Sequence, residues 1–136
     1  MVMEYLDGNE YSVDVYIHDG KVITAVPRKR TGVSSGIVLD GTVVHNKMLI
    51  EAAEKITEAI AESGFLNLQF FINDHGCKLT DVNARFCGSQ VMSLGANVNF
   101  PYLFLQYNLL GEYVSVNPRW NTRMIRYREN LFVYDD

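Results

Sequence analysis

Polar and apolar positions alternate with a period of two from Glu10 to His18, where Tyr11, Val13, Val15 and Ile17 interleave with Ser12, Asp14 and Tyr16. That alternation predicts a β-strand with one buried face. Asp19-Gly20 follows, and this pair suits a type I′ turn, whose two central residues both need positive φ. Lys21 to Arg28 is the returning strand, with Pro27 marking its end. A second hairpin is expected from Ile37-Val38-Leu39 and Thr42-Val43-Val44, joined at Asp40-Gly41. Between the hairpins, Thr31 to Gly36 holds two glycines and two serines and reads as a mobile loop.

The period then lengthens. From Asn46 to Ser63, Leu49, Ala52, Ala53, Ile56, Ala59 and Ile60 fall on one helical stripe, with Glu51, Glu54, Lys55, Glu58 and Glu62 outside it. Asn46 can cap the start and Gly64 can end the helix. Phe65 to Asn73 and Lys78 to Arg85 restore period two around Asp74-His75-Gly76, a three-residue loop whose glycine suits a bulge. A second helix is expected from Pro101 to Leu110, stopped by Gly111. Strand character returns around Arg123 to Tyr127 and Leu131 to Tyr134, with Trp120 anchoring the tail. The pattern describes one α+β unit, a mostly antiparallel sheet flanked by helices.

Composition narrows this further. The chain has 136 residues, 48% hydrophobic and 12% aromatic, enough for a packed core and unlike a disordered chain. No apolar run reaches the ~20 residues of a membrane span, and a net charge of -4 gives no reason to expect nucleic acid as a partner. Cys77 and Cys87 lack the spacing of a zinc site and read as reduced thiols of a cytoplasmic protein. The opening Met1-Val2-Met3-Glu4-Tyr5-Leu6 is apolar and strand-like, as expected of a piece cut from a longer chain, although a short protein can also begin this way.

The third hairpin carries the candidate chemistry. If Asn73 pairs with Cys77, Gln69 lies opposite Asp81 and Asn67 opposite Asn83, and opposed residues share a face. Carboxylate, amides and the guanidinium of Arg85 then gather on one patch. Such a patch suits magnesium, which prefers hard oxygen ligands and takes only one or two from protein carboxylates, and an arginine that forks onto phosphate. The same alternation also describes the polar outer face of a half-exposed sheet.

The flanking segments add a resemblance. Asn67-Leu68-Gln69-Phe70 with Asp81-Val82-Asn83-Ala84-Arg85-Phe86 resembles the "N-x-Q-F … E-x-N-P-R" signature of ATP-grasp ligases. Met3-Glu4-Tyr5-Leu6-Asp7-Gly8-Asn9-Glu10-Tyr11-Ser12-Val13-Asp14 is similar to their hinge, "E-E-Y-L-x-G-x-E-x-S-V-D". Gly88-Ser89 and Gly95-Ala96-Asn97-Val98-Asn99-Phe100-Pro101 look like the loop and helix entry that follow. Ordered over nearly the whole chain, these motifs resemble the C-terminal subdomain of an ATP-grasp domain of the carbamoyl-phosphate synthase type.

The resemblance implies roles. The backbone of Met3, Glu4, Tyr5 and Leu6 would meet adenine, and Glu10 would accept hydrogen bonds from ribose. Gln69, Asp81 and Asn83 align with magnesium ligands, manganese being an alternative ion, and Arg85 with an arginine near the phosphates or reaction centre. Arg28 and Arg30 stand where related ligases place basic residues facing the triphosphate or acyl phosphate, although a basic triplet also reads as a solvated turn. Two positions depart from the pattern: Asp81 replaces glutamate, shortening the reach by one methylene, and Ala84 replaces proline.

The implied activity is ATP-dependent ligation. A small-molecule carboxylate takes the γ-phosphate of ATP as an acyl phosphate, and a nucleophile then displaces it. A complete enzyme also has an earlier domain and a lysine-bearing subdomain, so residues 1–136 are expected to be a single partial domain, inactive alone. The rival expectations are a non-catalytic nucleotide-binding regulatory module, hinted at by Asp81, and a structural or homo-oligomerising remnant that binds no nucleotide.

Overall fold

The computed structural model describes residues 4–134. Six strands form one antiparallel sheet: β1 (Asn9–His18), β2 (Lys21–Ser34), β3 (Ile37–Val43), β4 (Gly64–Asn73), β5 (Gly76–Asn83) and β6 (Arg123–Ile125). Their order across the sheet is β5-β4-β1-β2-β3-β6. Helix α1 (Lys47–Ile60) joins β3 to β4, and α2 (Val91–Gly95) and α3 (Phe100–Leu105) follow β5. The α+β architecture expected from the sequence is observed.

Asp19 and Gly20 adopt φ of 50° and 71°, so the first turn forms as expected. The second hairpin differs. Ser35 and Gly36, at φ 49° and 77°, make the turn, and β2 runs unbroken to Ser34 through the segment expected to be a loop. Asp40-Gly41 lies inside β3 instead. Gly41 is there for closeness, because a Cβ would meet Lys29 O and Met92 Cε, each at 2.8 Å. Pro27 sits within β2, not at its end. Its carbonyl accepts the Val44 N–H at 2.9 Å, so its ring nitrogen faces the same side, just past the last residue paired with β3.

Asn46 caps α1 by accepting the Leu49 N–H at 3.1 Å. The helix stops earlier than expected: Ala61 is already extended, and Gly64 opens β4. The second expected helix is α3, capped by Asn99 and continued by a π turn over Gln106–Leu110 to left-handed Gly111. The short α2 was not expected. In the tail only Arg123–Ile125 pairs as a strand, and Leu131 to Tyr134 does not. Trp120 packs on the core beside His45, as expected of a tail anchor.

Both faces of the sheet are covered, so β1 is buried from Ser12 to Ile17 and not on one face alone. On one face Val13, Val15, Leu66, Leu68 and Phe70 pack against Leu49 and Ala53 of α1. Each large side chain so buried contributes about 1.5–3 kcal/mol. On the other, Tyr16, Val26 and Val43 meet Met92, Val98, Phe100 and Leu103 from α2, α3 and their loop. This second cover spans only part of its face, and the polar ends of β1, β4 and β5 remain beside it. Among the described residues no helix is long and apolar enough to cross a membrane.

Candidate functional site

The β4–β5 ribbon pairs Gln69 with Asp81 and Asn67 with Asn83. The route to this register differs from the expected one. Asn73 pairs with Gly76 and Ile72 with Cys77, and the extra residue is Thr80, bulged where the register shifts between Gln69 and Phe70. Its hydroxyl donates to Gln69 O at 3.1 Å. Without that bulge Asp81 and Asn83 would face the other way, because a one-residue slip inverts every side chain beyond it.

Asp81 and Asn83 touch. Asn83 Nδ2 donates to Asp81 Oδ2 at 2.6 Å, and Asp81 Oδ1 accepts the Val82 N–H at 2.9 Å. Asp81 is exposed, and Gln69 and Asn83 are half-buried, so no apolar layer plugs this face. All three offer hard oxygen donors and only one is charged. That composition fits magnesium, which completes its octahedron with phosphate and water. Among the described residues, no group of three or more His, Cys, Asp or Glu side chains gathers as an alternative metal site.

Arg85, exposed on the loop after β5, donates to Phe86 O at 3.1 Å. Glu10 and Arg30 form an ion pair through Oε1 and Nη1, and Arg30 Nη2 reaches Gly36 O at 3.3 Å. Arg30 keeps a buried Nε with no partner. Of the expected adenine-contacting stretch, Met3 lies outside the described residues. Glu4 pairs with Lys78 at 2.5 Å, Tyr5 is 91% exposed and Leu6 is half-buried. Gly8 lets this stretch hug the sheet: at φ 117°, it leaves no room for a Cβ, which would lie 2.2 Å from Ile72 O.

Arg28 is no solvated turn residue. It is 1% exposed inside β2, and its Nη2 donates to Asp14 Oδ1 at 2.6 Å while Nη1 donates to Ser89 Oγ at 2.6 Å. Asp14 also accepts from Asn67 Nδ2 at 2.9 Å and Ser93 Oγ at 2.8 Å. Cys87 Sγ lies 2.9 Å from Arg28 Nη2. This buried cluster ties β1, β2 and β4 to the loop that carries Arg85. Sequence reasoning missed it, although Asp14 and Arg28 both stand inside apolar strands and a paired carboxylate and guanidinium are what burial there requires. Cys77 lies apart, packed among core side chains, and burial pushes its thiol up.

Above the cluster is a cavity of about 370 Å³, lined by Gln69 and Asn67 at one side and by Arg30, Arg85 and Arg126 elsewhere. Asp81 and Asn83 are not among its lining residues; they lie on β5, paired with the lining residues Gln69 and Asn67. The profile of a family described as ATP-grasp in the biosynthetic pathway with Ter operon matches residues 1–130. The chain belongs to this ATP-grasp family.

The ATP-grasp fold is also seen in solved structures. A biotin carboxylase from Campylobacter jejuni, in complex with β-γ-ATP, aligns with a TM-score of 0.65 and 16% identity over 85% of this chain. An L-amino acid ligase from Bacillus licheniformis aligns at 0.55 and 16% over 82%. The N5-carboxyaminoimidazole synthetase from Staphylococcus aureus, complexed with ADP, aligns at 0.55 and 19% over 68%. The chain spans 28%, 34% and 27% of those three proteins respectively. No curated protein matches it.

Proposed function

We propose that this chain is the ATP- and magnesium-binding part of an ATP-dependent ligase that joins a small-molecule carboxylate to an amine or similar nucleophile through an acyl phosphate. The observation that carries the reading is the β4–β5 register, which sets Gln69 opposite Asp81 and Asn67 opposite Asn83 beside an arginine-lined cavity. The ordered set of motifs, from the hinge over residues 3–14 through Asn67-Leu68-Gln69-Phe70 and Asp81-Val82-Asn83 to residues 95–101, is the ground for a carbamoyl-phosphate synthase-like subgroup.

Gln69, Asp81 and Asn83 would hold magnesium, which when bound draws charge off the transferring phosphoryl group. Asp81 must then turn its oxygens from Val82 and Asn83 toward the ion. Arg85, tethered only through Phe86 O, can swing its fork onto phosphate oxygens. Glu10 would accept from ribose hydroxyls and must first release Arg30, which frees that guanidinium for an anion in the cavity. The extended backbone from residue 4 to residue 6 offers N–H and C=O groups to an adenine edge. Catalysis is positioning and charge neutralisation, with no protein nucleophile.

The chain spans only 28% and 34% of the biotin carboxylase and the L-amino acid ligase, so the catalytic set is proposed to be complete only with further protein. The 136-residue chain by itself is expected to release no phosphate from ATP. A phosphate-release assay, with hydroxylamine trapping of acyl phosphate from the longer protein, checks both halves. Robust turnover by the chain alone would overturn the first, and hydrolysis without a trapped acyl group the second. A second reading, nucleotide binding without chemistry, is favoured by Asp81 standing where glutamate is usual. Magnesium-dependent hydroxamate from the longer protein excludes it.

A further inference from the structure

The cavity lining contains three arginines, Arg30, Arg85 and Arg126, and no carboxylate. Arg126 belongs to none of the motifs. Its backbone is fixed where the tail leaves β6, with its N–H donating to Leu39 O at 2.7 Å. Its Nη2 donates to Gly88 O at 3.1 Å, and the side chain is half-buried. Among the described residues no carboxylate lies within ion-pair distance of Arg85 or Arg126, whereas Arg30 is met by Glu10. Two uncompensated guanidinium groups at one cavity repel each other unless an anion lies between them.

Their separation is bounded by the loop. Arg85 is held at Phe86 O and Arg126 at Gly88 O, carbonyls only two residues apart. Two residues of extended chain reach at most about 7 Å, and each guanidinium nitrogen stands 3.1 Å from its carbonyl, so the two donating groups lie within about 13 Å of each other. Arg85 belongs to the magnesium side, two residues beyond Asn83, while Arg126 approaches from the β3 side of the sheet. On the ligase reading, the first position takes the transferring phosphoryl group. The second, at Arg126, is left for another anionic group at the same cavity.

We propose that the acid substrate is a short dianion: its reacting carboxylate lies beside Arg85 and the magnesium donors, and its second anionic group is held by Arg126. This deepens the ligase reading and rests on it. The second group is an oxyanion of either carboxylate or phosphate chemistry, both of which a guanidinium fork recognises. The nucleophile need carry no matching charge.

The test is calorimetric titration of the full chain at fixed ionic strength, with and without a non-hydrolysable ATP analogue and magnesium. The probes are butyrate, succinate and glutarate, with glycolate and phosphoglycolate as a second pair. A dianion is expected to bind about tenfold or more tighter than its monoanion, the scale of one charge-assisted contact. Arg126→Gln should erase that ratio and leave nucleotide affinity within about twofold, and Arg126→Lys should restore part of it. Preference for succinate or glutarate assigns a carboxylate, and preference for phosphoglycolate a phosphate. The proposal falls if no dianion is preferred, if the preference survives Arg126→Gln, or if that variant weakens the nucleotide instead. Failure of the analogue to bind wild type defeats the ligase reading separately, because the titrations without nucleotide still report on Arg126.

Discussion

Asp14 is the residue on which the site end of the sheet is organised: one carboxylate accepts from Arg28, Asn67 and Ser93 while only 2% exposed. Removing one partner of such a pair strands the other without water. Arg28→Met is therefore expected to cost about 3–5 kcal/mol of stability, read from urea unfolding. Asp14→Leu combined with Arg28→Met should cost less than Arg28→Met alone, because no charge is then left unpaired. A smaller loss in the single variant than in the double would show that the pair does not bear this cost. At this scale the sequence was only partly readable. Alternation marked Ser12, Asp14 and Tyr16 as one face, but nothing local says that α2 and its neighbours will cover it.

Elements were more legible than their edges. Asp19-Gly20 and Asn46 carry local signals, a positive-φ turn and a cap, and both act as those signals imply. Asp40-Gly41 carries the same turn signal, yet Gly41 is a packing glycine under Met92, a tertiary demand that no local pattern shows. The β4–β5 ribbon is the instructive case, since the pairing of Gln69 with Asp81 is readable, while the bulge that produces it lies at Thr80 and not at Gly76 as the loop pattern implies. Helix α1 adds a prediction. Burial, and then its neighbours Glu58 and Glu51, push the Glu54 carboxyl up from its ordinary range. A raised carboxyl favours the folded state most when protonated, so its contribution is present at acid pH and is lost as pH rises through the folded value. Glu54→Gln should raise the thermal midpoint at pH ~7, well above the ordinary carboxyl value, with the gain shrinking toward pH ~4. An equal gain at both pH values would contradict this assignment.

For the whole molecule, the sheet works as a two-sided plate. One face is sealed by α1, and the other is half sealed by α2 and α3, leaving oxygen donors and arginines around a cavity at its open end. Family membership was legible because the motifs lie in order along the chain, whereas Arg126 was not, since its place depends on how the tail returns over the sheet. Gln69, Asp81 and Asn83 are proposed to act together on a magnesium–nucleotide complex. Calorimetric titration of the wild-type chain and an Asp81→Ala/Asn83→Ala variant with ATP, in magnesium and in EDTA, tests it most directly. Magnesium should strengthen wild-type binding by about tenfold or more and make no difference to the double variant. Equal magnesium dependence in the two proteins would contradict it.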